Sequence, residues 1–245
     1  MTKLLNLLAN NRGKANAPRA METVGDDTTI YLYDAIVSDD VTAEWWGGVS
    51  AQSLVPQIRA IKGGTIHLRI NSPGGDVFAA QAICQAIRDT SAKVVAHIDG
   101  YAASAATVVA TAADEIKISE GGMYMVHCGW TFAMGNAIEM RSTADLLDKV
   151  DATIVKQYAG KTGMSAEEVL AIMQAETWYT AEEAVAAGFI DAISDSPKVK
   201  ASWDLSAYAN APAPADPEIV NVATNDHRAR QQQRIAMLGR MQKIS

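Results

Sequence analysis

Thr65-Ile66-His67-Leu68-Arg69-Ile70-Asn71, then Ser72-Pro73-Gly74-Gly75, then Asp76 to Asp89, reads as a strand, a tight turn and a helix. Immediately downstream the same grammar returns. Lys93 to Asp99 is rich in β-formers, Gly100 to Ala103 is a small-residue turn, and Ser104 to Ala113 has helical composition. Two successive strand-turn-helix units predict a mostly parallel α/β sheet, with the functional loops at the carboxyl ends of its strands. The Gly74-Gly75 turn and Ser104 then share one edge of that sheet.

Around these units the periodicity predicts a strand over Thr28 to Tyr33 and a helix over Ser50 to Ile61, weakened locally by Pro56. Short strands are expected at Glu115 to Ile118 and Met123 to His127, with an extended Gly129 to Gly135. A long amphipathic helix follows over Ala137 to Ala159, its stripe carried by Leu147, Val150, Ile154 and Tyr158. Ser165-Ala-Glu-Glu168 and Thr180-Ala-Glu-Glu183 match the capping box, so two short helices start there, and the second stops at Gly188. Phe189 to Ile193 would close the sheet. The expected organisation is a mobile arm over 1–26, one catalytic domain over 27–195, and a linker with a basic tail over 196–245. Ala211-Pro-Ala-Pro-Ala215 marks the linker, and Arg228, Arg230, Arg234, Arg240 and Lys243 mark the tail, which either docks on a partner or stays solvated.

With 245 residues and a formal charge of −7, the chain can bury one full core and has no general affinity for nucleic acid or anionic membrane. The apolar run Leu4 to Leu8 ends at Asn10-Asn11-Arg12-Gly13 and is too short for a signal core or a membrane span. Cys84 and Cys128 are too few for a disulfide framework and are expected as reduced thiols of a protein in the cytoplasm. No phosphate-binding loop or metal-ligand cluster is present in the sequence. Neither ATP hydrolysis nor metal catalysis is expected of this chain, and no cofactor.

The chemistry-bearing residues suit nucleophilic attack on a carbonyl. A serine hydroxyl needs a base to take its proton and fixed N–H dipoles where the oxyanion forms. Ser104, at the predicted start of a helix and flanked by alanines, offers the hydroxyl, and the amide of Ala105 offers one donor. Gly75 in the Gly74-Gly75 turn offers a second, because glycine permits close approach of backbone to substrate. Among the four histidines, His67 and His97 lie inside strands and read as structural, and His127 ends a strand beside a glycine-containing segment. Cys128 adjoins His127, but strand neighbours point to opposite faces, which disfavours a Cys-His pair. For a third member, Glu176 lies in a loop between two short helices, with Asp99 and Asp114 as alternatives that also read as turn or cap residues.

At Ile70-Asn-Ser-Pro-Gly-Gly75, Gly100-Tyr-Ala-Ala-Ser104, Met125-Val-His127 and Glu176-Thr-Trp-Tyr-Thr-Ala-Glu-Glu-Ala184 the sequence resembles the ClpP family of serine peptidases, from about Tyr31 to Ile193. Within it, Trp45-Trp-Gly-Gly48 and Glu176-Thr-Trp178 resemble the branch encoded by tailed phages and prophages. The resemblance implies a ClpP/crotonase-like spiral of β-β-α units with a protruding strand-helix handle, matched here to Gly129 to Ala159. It also implies Ser104 as nucleophile, His127 as general base and then acid, and the amides of Gly75 and Ala105 as the oxyanion hole. Housekeeping members have Asp as third member and Gly two positions after the serine, where this chain has Glu176 and Ala106. A peptide substrate would lie extended beside Gly74, Asp76 and Val77 on one side and Cys128 and Gly129 on the other, by β-augmentation. The implied assembly is a homo-oligomeric ring. The implied role is ATP-independent cleavage of scaffold or coat protein during capsid maturation inside an assembling procapsid in the host cytoplasm, with a capsid or portal partner for the tail. Three other readings compete: a general proteolytic subunit fed by an AAA+ unfoldase, a crotonase-type acyl-CoA enzyme using the same paired amides, and an inert shell component.

Overall fold

The computed structural model describes residues 3–11, 21–194 and 204–212. The chain opens on α1 (Lys3–Asn11), then β1 (Glu22–Val24), β2 (Asp27–Leu32), β3 (Ile36–Val37), α2 (Asp40–Trp46), β4 (Val49–Ser50) and α3 (Ala51–Ala60). The two decisive units follow as β5 (Thr65–Ser72), α4 (Val77–Asp89), β6 (Lys93–Ala103) and α5 (Ala105–Ala110). After them come β7 (Glu115–Ser119), β8 (Met123–Val126), α6 (Ala137–Thr162), α7 (Ala166–Gln174), β9 (Thr177–Thr180), α8 (Ala181–Ala186) and β10 (Ala192–Ser194).

The main sheet runs β1-β2-β5-β6-β7-β10, with β8 joined to β6 and β9 to β8. Among the described residues, only β1/β2 and β8/β9 are antiparallel. Alternation along β5 puts Ile66, Leu68 and Ile70 in the core beneath α4, whose Ala80, Ile83, Cys84 and Ile87 face them. The small alanines let the helix sit close to the strands.

The expected turn at Gly100 to Ala103 is instead strand. β6 continues through it by changing partners: Val95 to Ile98 pair with β7, and Tyr101 to Ala103 pair with β8. Small residues served close packing there rather than chain reversal. The break expected around Glu176 is followed by β9, which pairs antiparallel with β8. Within the expected arm, residues 3–11 form a helix. The leucine run is too short for a membrane but long enough for a helix that buries Leu7 and Leu8, and β1 pairs with β2. Residues 204–212 fall in the same compact unit as the sheet. The basic tail lies outside the described residues.

The sheet face opposite α4 carries a polar ladder. Asp99, 2% exposed, accepts from Arg69 Nε at 2.8 Å and from the Tyr33 hydroxyl, and Asp114 accepts from Val94 N at 2.7 Å. Both acids are therefore structural. Beside them His67 Nδ1 and His97 Nε2 stand 3.1 Å apart. Burial, and then the charge of Arg69, pushes His97 down to about 4. The unfolded imidazole titrates near 6.5, so the unfolded chain takes up a proton that the folded chain refuses. Stability is then full above about pH 6.5 and declines as the pH falls towards 4. After discounting for solvent screening the loss is about 1–2 kcal/mol. Urea midpoints at pH 7 and pH 5 should show it, and a His97→Asn variant should flatten the difference.

Candidate active site

Ser104 joins β6 to α5 with φ 55° and ψ −125°, a left-handed backbone that a residue with a Cβ adopts only under constraint. The constraint is visible. Its N–H donates to Met125 O at 3.0 Å, and its carbonyl accepts from Thr107 N at 2.9 Å. Ser50, Ser165 and Thr180 spend their hydroxyls capping the helices they precede, but Ser104 makes no side-chain cap. The bend projects its Oγ outward instead, to 2.7 Å from His127 Nε2. The β6/β8 register brings the imidazole there: Met125 lies opposite Ala103, so His127, two residues on, passes the end of β6 and meets the hydroxyl.

The glycine turn closes on the same point. Ile36 N donates to Gly74 O at 2.8 Å and Asp76 N donates to Ile36 O at 2.9 Å, so one edge of the turn is paired with β3. By strand alternation the N–H and C=O of Gly75 face the other way. A Cβ on Gly74 would lie 2.8 Å from Ser104 Cβ and 3.0 Å from Ala105 N, which measures how tightly turn and serine are packed. The amides of Gly75 and Ala105 make no hydrogen bond among the described residues. Two donors and a serine-imidazole pair thus converge on one rim.

A cleft of about 430 Å³ opens there, lined by Gly75, Asp76, Val77, Ser104, His127 and Gly129 at its polar end. Its far wall is apolar: Phe78, Trp130, Phe132, Leu147 and Val150. Such a site can hold an extended chain with an apolar side chain beside the hydroxyl, and can attack a carbonyl seated on the two amides.

Comparison with known proteins fits this geometry. The family model described as Clp protease matches residues 19–197. The chain belongs to the Clp protease family. The ATP-dependent Clp protease proteolytic subunit of Streptococcus suis is 32% identical over 139 residues, covering 55% of this chain and 71% of that protein. That of Streptococcus pneumoniae is 34% identical over 132 residues, covering 52% and 67%. A ClpP1 mutant from Listeria monocytogenes shares the fold with a TM-score of 0.56 at 22% identity, over 69% of this chain and 91% of that one.

Within this Clp protease framework, Ser104 and His127 meet as expected, and Asp76, Val77 and Gly129 line the cleft. Gly74 is packed behind the serine rather than lining it. The Cys128 side chain packs against the core, where burial, followed by neighbouring Asp151, pushes the thiol up to about 12. Alternation after β8 turns it away from the face His127 uses. Glu176, expected as the third member, holds the backbone of residues 209 and 210 with its carboxylate. Its oxygens accept from Ala209 N at 3.1 Å and Asn210 N at 2.6 Å. Its backbone sits at φ 49°. Sequence reasoning missed the aromatic wall and Tyr208. The exposed aromatics Phe78 and Phe132 were a usable signal for the wall, whereas Tyr208 lay in a stretch read as linker.

Proposed function

We propose that this Clp protease family chain is a serine endopeptidase in which Ser104 and His127 do the bond-breaking. The observation that carries the reading is the 2.7 Å contact between Ser104 Oγ and His127 Nε2 on a rim shared with two amides that have no hydrogen-bond partner among the described residues. Ser104 Oγ attacks the scissile carbonyl while His127 Nε2 takes its proton, and the Gly75 and Ala105 amides receive the negative oxygen. The imidazolium then protonates the leaving amine. Water repeats the sequence on the acyl-serine, releasing the acid and restoring the hydroxyl. Glu176 supports this site at one remove, through the segment it holds. The apolar wall selects an apolar side chain at the cut. The exposed Phe132, Met134 and Ile138 beside and on the α6 handle supply an apolar surface that a second copy would cover, which supports a homo-oligomeric ring.

The test is labelling of the full chain with a fluorophosphonate, followed by peptide mapping. Adduct at Ser104, lost on unfolding and in His127→Ala, is expected, with peptides carrying Leu or Met before the cut cleaved faster than those carrying Asp. An unlabelled Ser104 in the folded chain removes the serine mechanism and favours the crotonase-type use of the amides.

For the biological setting, Trp45-Trp-Gly-Gly48 and Glu176-Thr-Trp178 support capsid maturation, with scaffold or coat protein as substrate. The names of the streptococcal relatives favour a second reading, a proteolytic subunit served by an ATPase. Co-expression with candidate capsid proteins, read by mass spectrometry, separates them: defined cuts without added ATPase support the first, and cleavage only with an ATPase supports the second.

A further inference from the structure

Residues 204–212 form a strap fastened at both ends by side chains. Near its start the Asn11 side chain grips the Asp204 backbone, Nδ2 donating to the carbonyl at 2.9 Å and Oδ1 accepting from the amide at 2.5 Å. Towards its end Glu176 accepts from the amides of 209 and 210, and Asn210 Nδ2 donates to Ala175 O at 2.8 Å. Between these clamps Tyr208, 6% exposed, packs with Leu7, Tyr101, Ala103 and Met125. These contacts lie on the face of β6 and β8 opposite the main core, because Ala102, Tyr124 and Val126 point the other way.

Tyr208 touches the site from behind, at the glycine turn and at the imidazole. Its hydroxyl donates to the Pro73 carbonyl, and its ring meets the His127 imidazole edge-on with centroids 5.3 Å apart at 85°. Burial pushes the phenol well above its ordinary range, so it stays protonated at any working pH. The Pro73 carbonyl and the Gly74 N–H belong to one planar peptide unit, so anchoring the first fixes the path of the turn that aims Gly75. The ring also limits the swing of the imidazole. Tyr208 is absent from the residues lining the cleft, so it braces the site and leaves the substrate side open.

We propose that Tyr208 is a positioning residue, brought to the Ser104–His127 pair by the strap and holding both the imidazole and the oxyanion turn in register. The inference rests on the serine-peptidase reading. Because small misplacements of reacting groups cost large factors, Tyr208→Phe, which keeps the ring and loses the tether, should lower kcat about tenfold with KM nearly unchanged. Tyr208→Ala, which loses both, should lower it about a hundredfold. Asn11→Ala loosens the strap without touching the site and should lower kcat about threefold. The assay is hydrolysis of a fluorogenic peptide together with the fluorophosphonate labelling rate, both at 25 °C, with thermal unfolding followed in parallel. A merely structural tyrosine would lower the unfolding temperature and leave kcat of the folded fraction intact. Wild-type turnover in Tyr208→Phe, or a rise, overturns the inference while Ser104-dependent hydrolysis persists. If the Tyr208 variants fail to fold, unchanged turnover in Asn11→Ala overturns it. Hydrolysis that survives Ser104→Ala instead overturns the peptidase reading beneath it.

Discussion

Replacing Ser104 with alanine is expected to lower kcat for peptide hydrolysis by about 10⁴-fold or more, with the unfolding midpoint nearly unchanged. On the proposed mechanism the size follows from removing the group that forms the covalent bond, which leaves water as nucleophile on the two amides proposed to bind the carbonyl. The unchanged stability follows from how the hydroxyl is used. It caps no helix, and the backbone bonds from Ser104 N to Met125 O and from Thr107 N to Ser104 O survive the change. His127→Ala should be as damaging. The double variant should be no worse than either single one, because a nucleophile without its base is already idle. Additive losses across that cycle would mean that the two side chains, though 2.7 Å apart, do not work as a unit. Retention of more than a tenth of the activity in Ser104→Ala would place the nucleophile elsewhere.

Why was so much of this site readable from sequence, and the rest not? The parallel sheet, the glycine turn, the serine and the histidine each carry a local signature: alternating apolar residues, a Ser-Pro-Gly-Gly turn, an alanine-flanked serine, a histidine at a strand end. Local sterics and periodicity dictate those features. Gly100 to Ala103 misled because small residues serve two purposes, tight turns and close packing, and only the partner strand decides between them; here β8 takes up Tyr101 to Ala103. The bonds of Glu176 were hidden for a related reason. Its position beside β9 suited an orienting carboxylate, but its bonds run to the backbone at 209 and 210, a segment separated from it by more than a connecting loop. Tyr208 carried no signal at all. A tyrosine among alanines, serine and asparagine reads as a solvated linker, and what makes it structural is the apolar patch of Leu7, Tyr101 and Met125 waiting for it, residues gathered from three distant parts of the chain. Long-range pairing of this kind is set by tertiary burial and not by neighbouring residues.

Gly75→Ala is expected to lower kcat by about 10²–10³-fold, the usual consequence of losing one oxyanion donor, with a smaller change in KM. The added Cβ would fall 2.1 Å from Ile36 O and 2.7 Å from Ile36 N. Those are backbone atoms of a fully buried residue, so the turn must move and not the neighbour. Moving it breaks the bonds from Ile36 N to Gly74 O and from Asp76 N to Ile36 O, and the amide of Gly75 leaves the rim it shares with Ser104. The backbone angle adds to the effect, since φ is 149° there, a region that glycine visits freely and alanine does not. Gly63→Ala separates strain from chemistry. Its φ is 97°, but a Cβ would meet nothing within 4 Å, and it precedes β5 at the end of the strand away from the serine. That variant should cost about 1 kcal/mol of stability and leave kcat alone. If Gly75→Ala keeps its turnover within threefold of wild type while folding normally, the negative oxygen is received somewhere else, and the turn is only a turn.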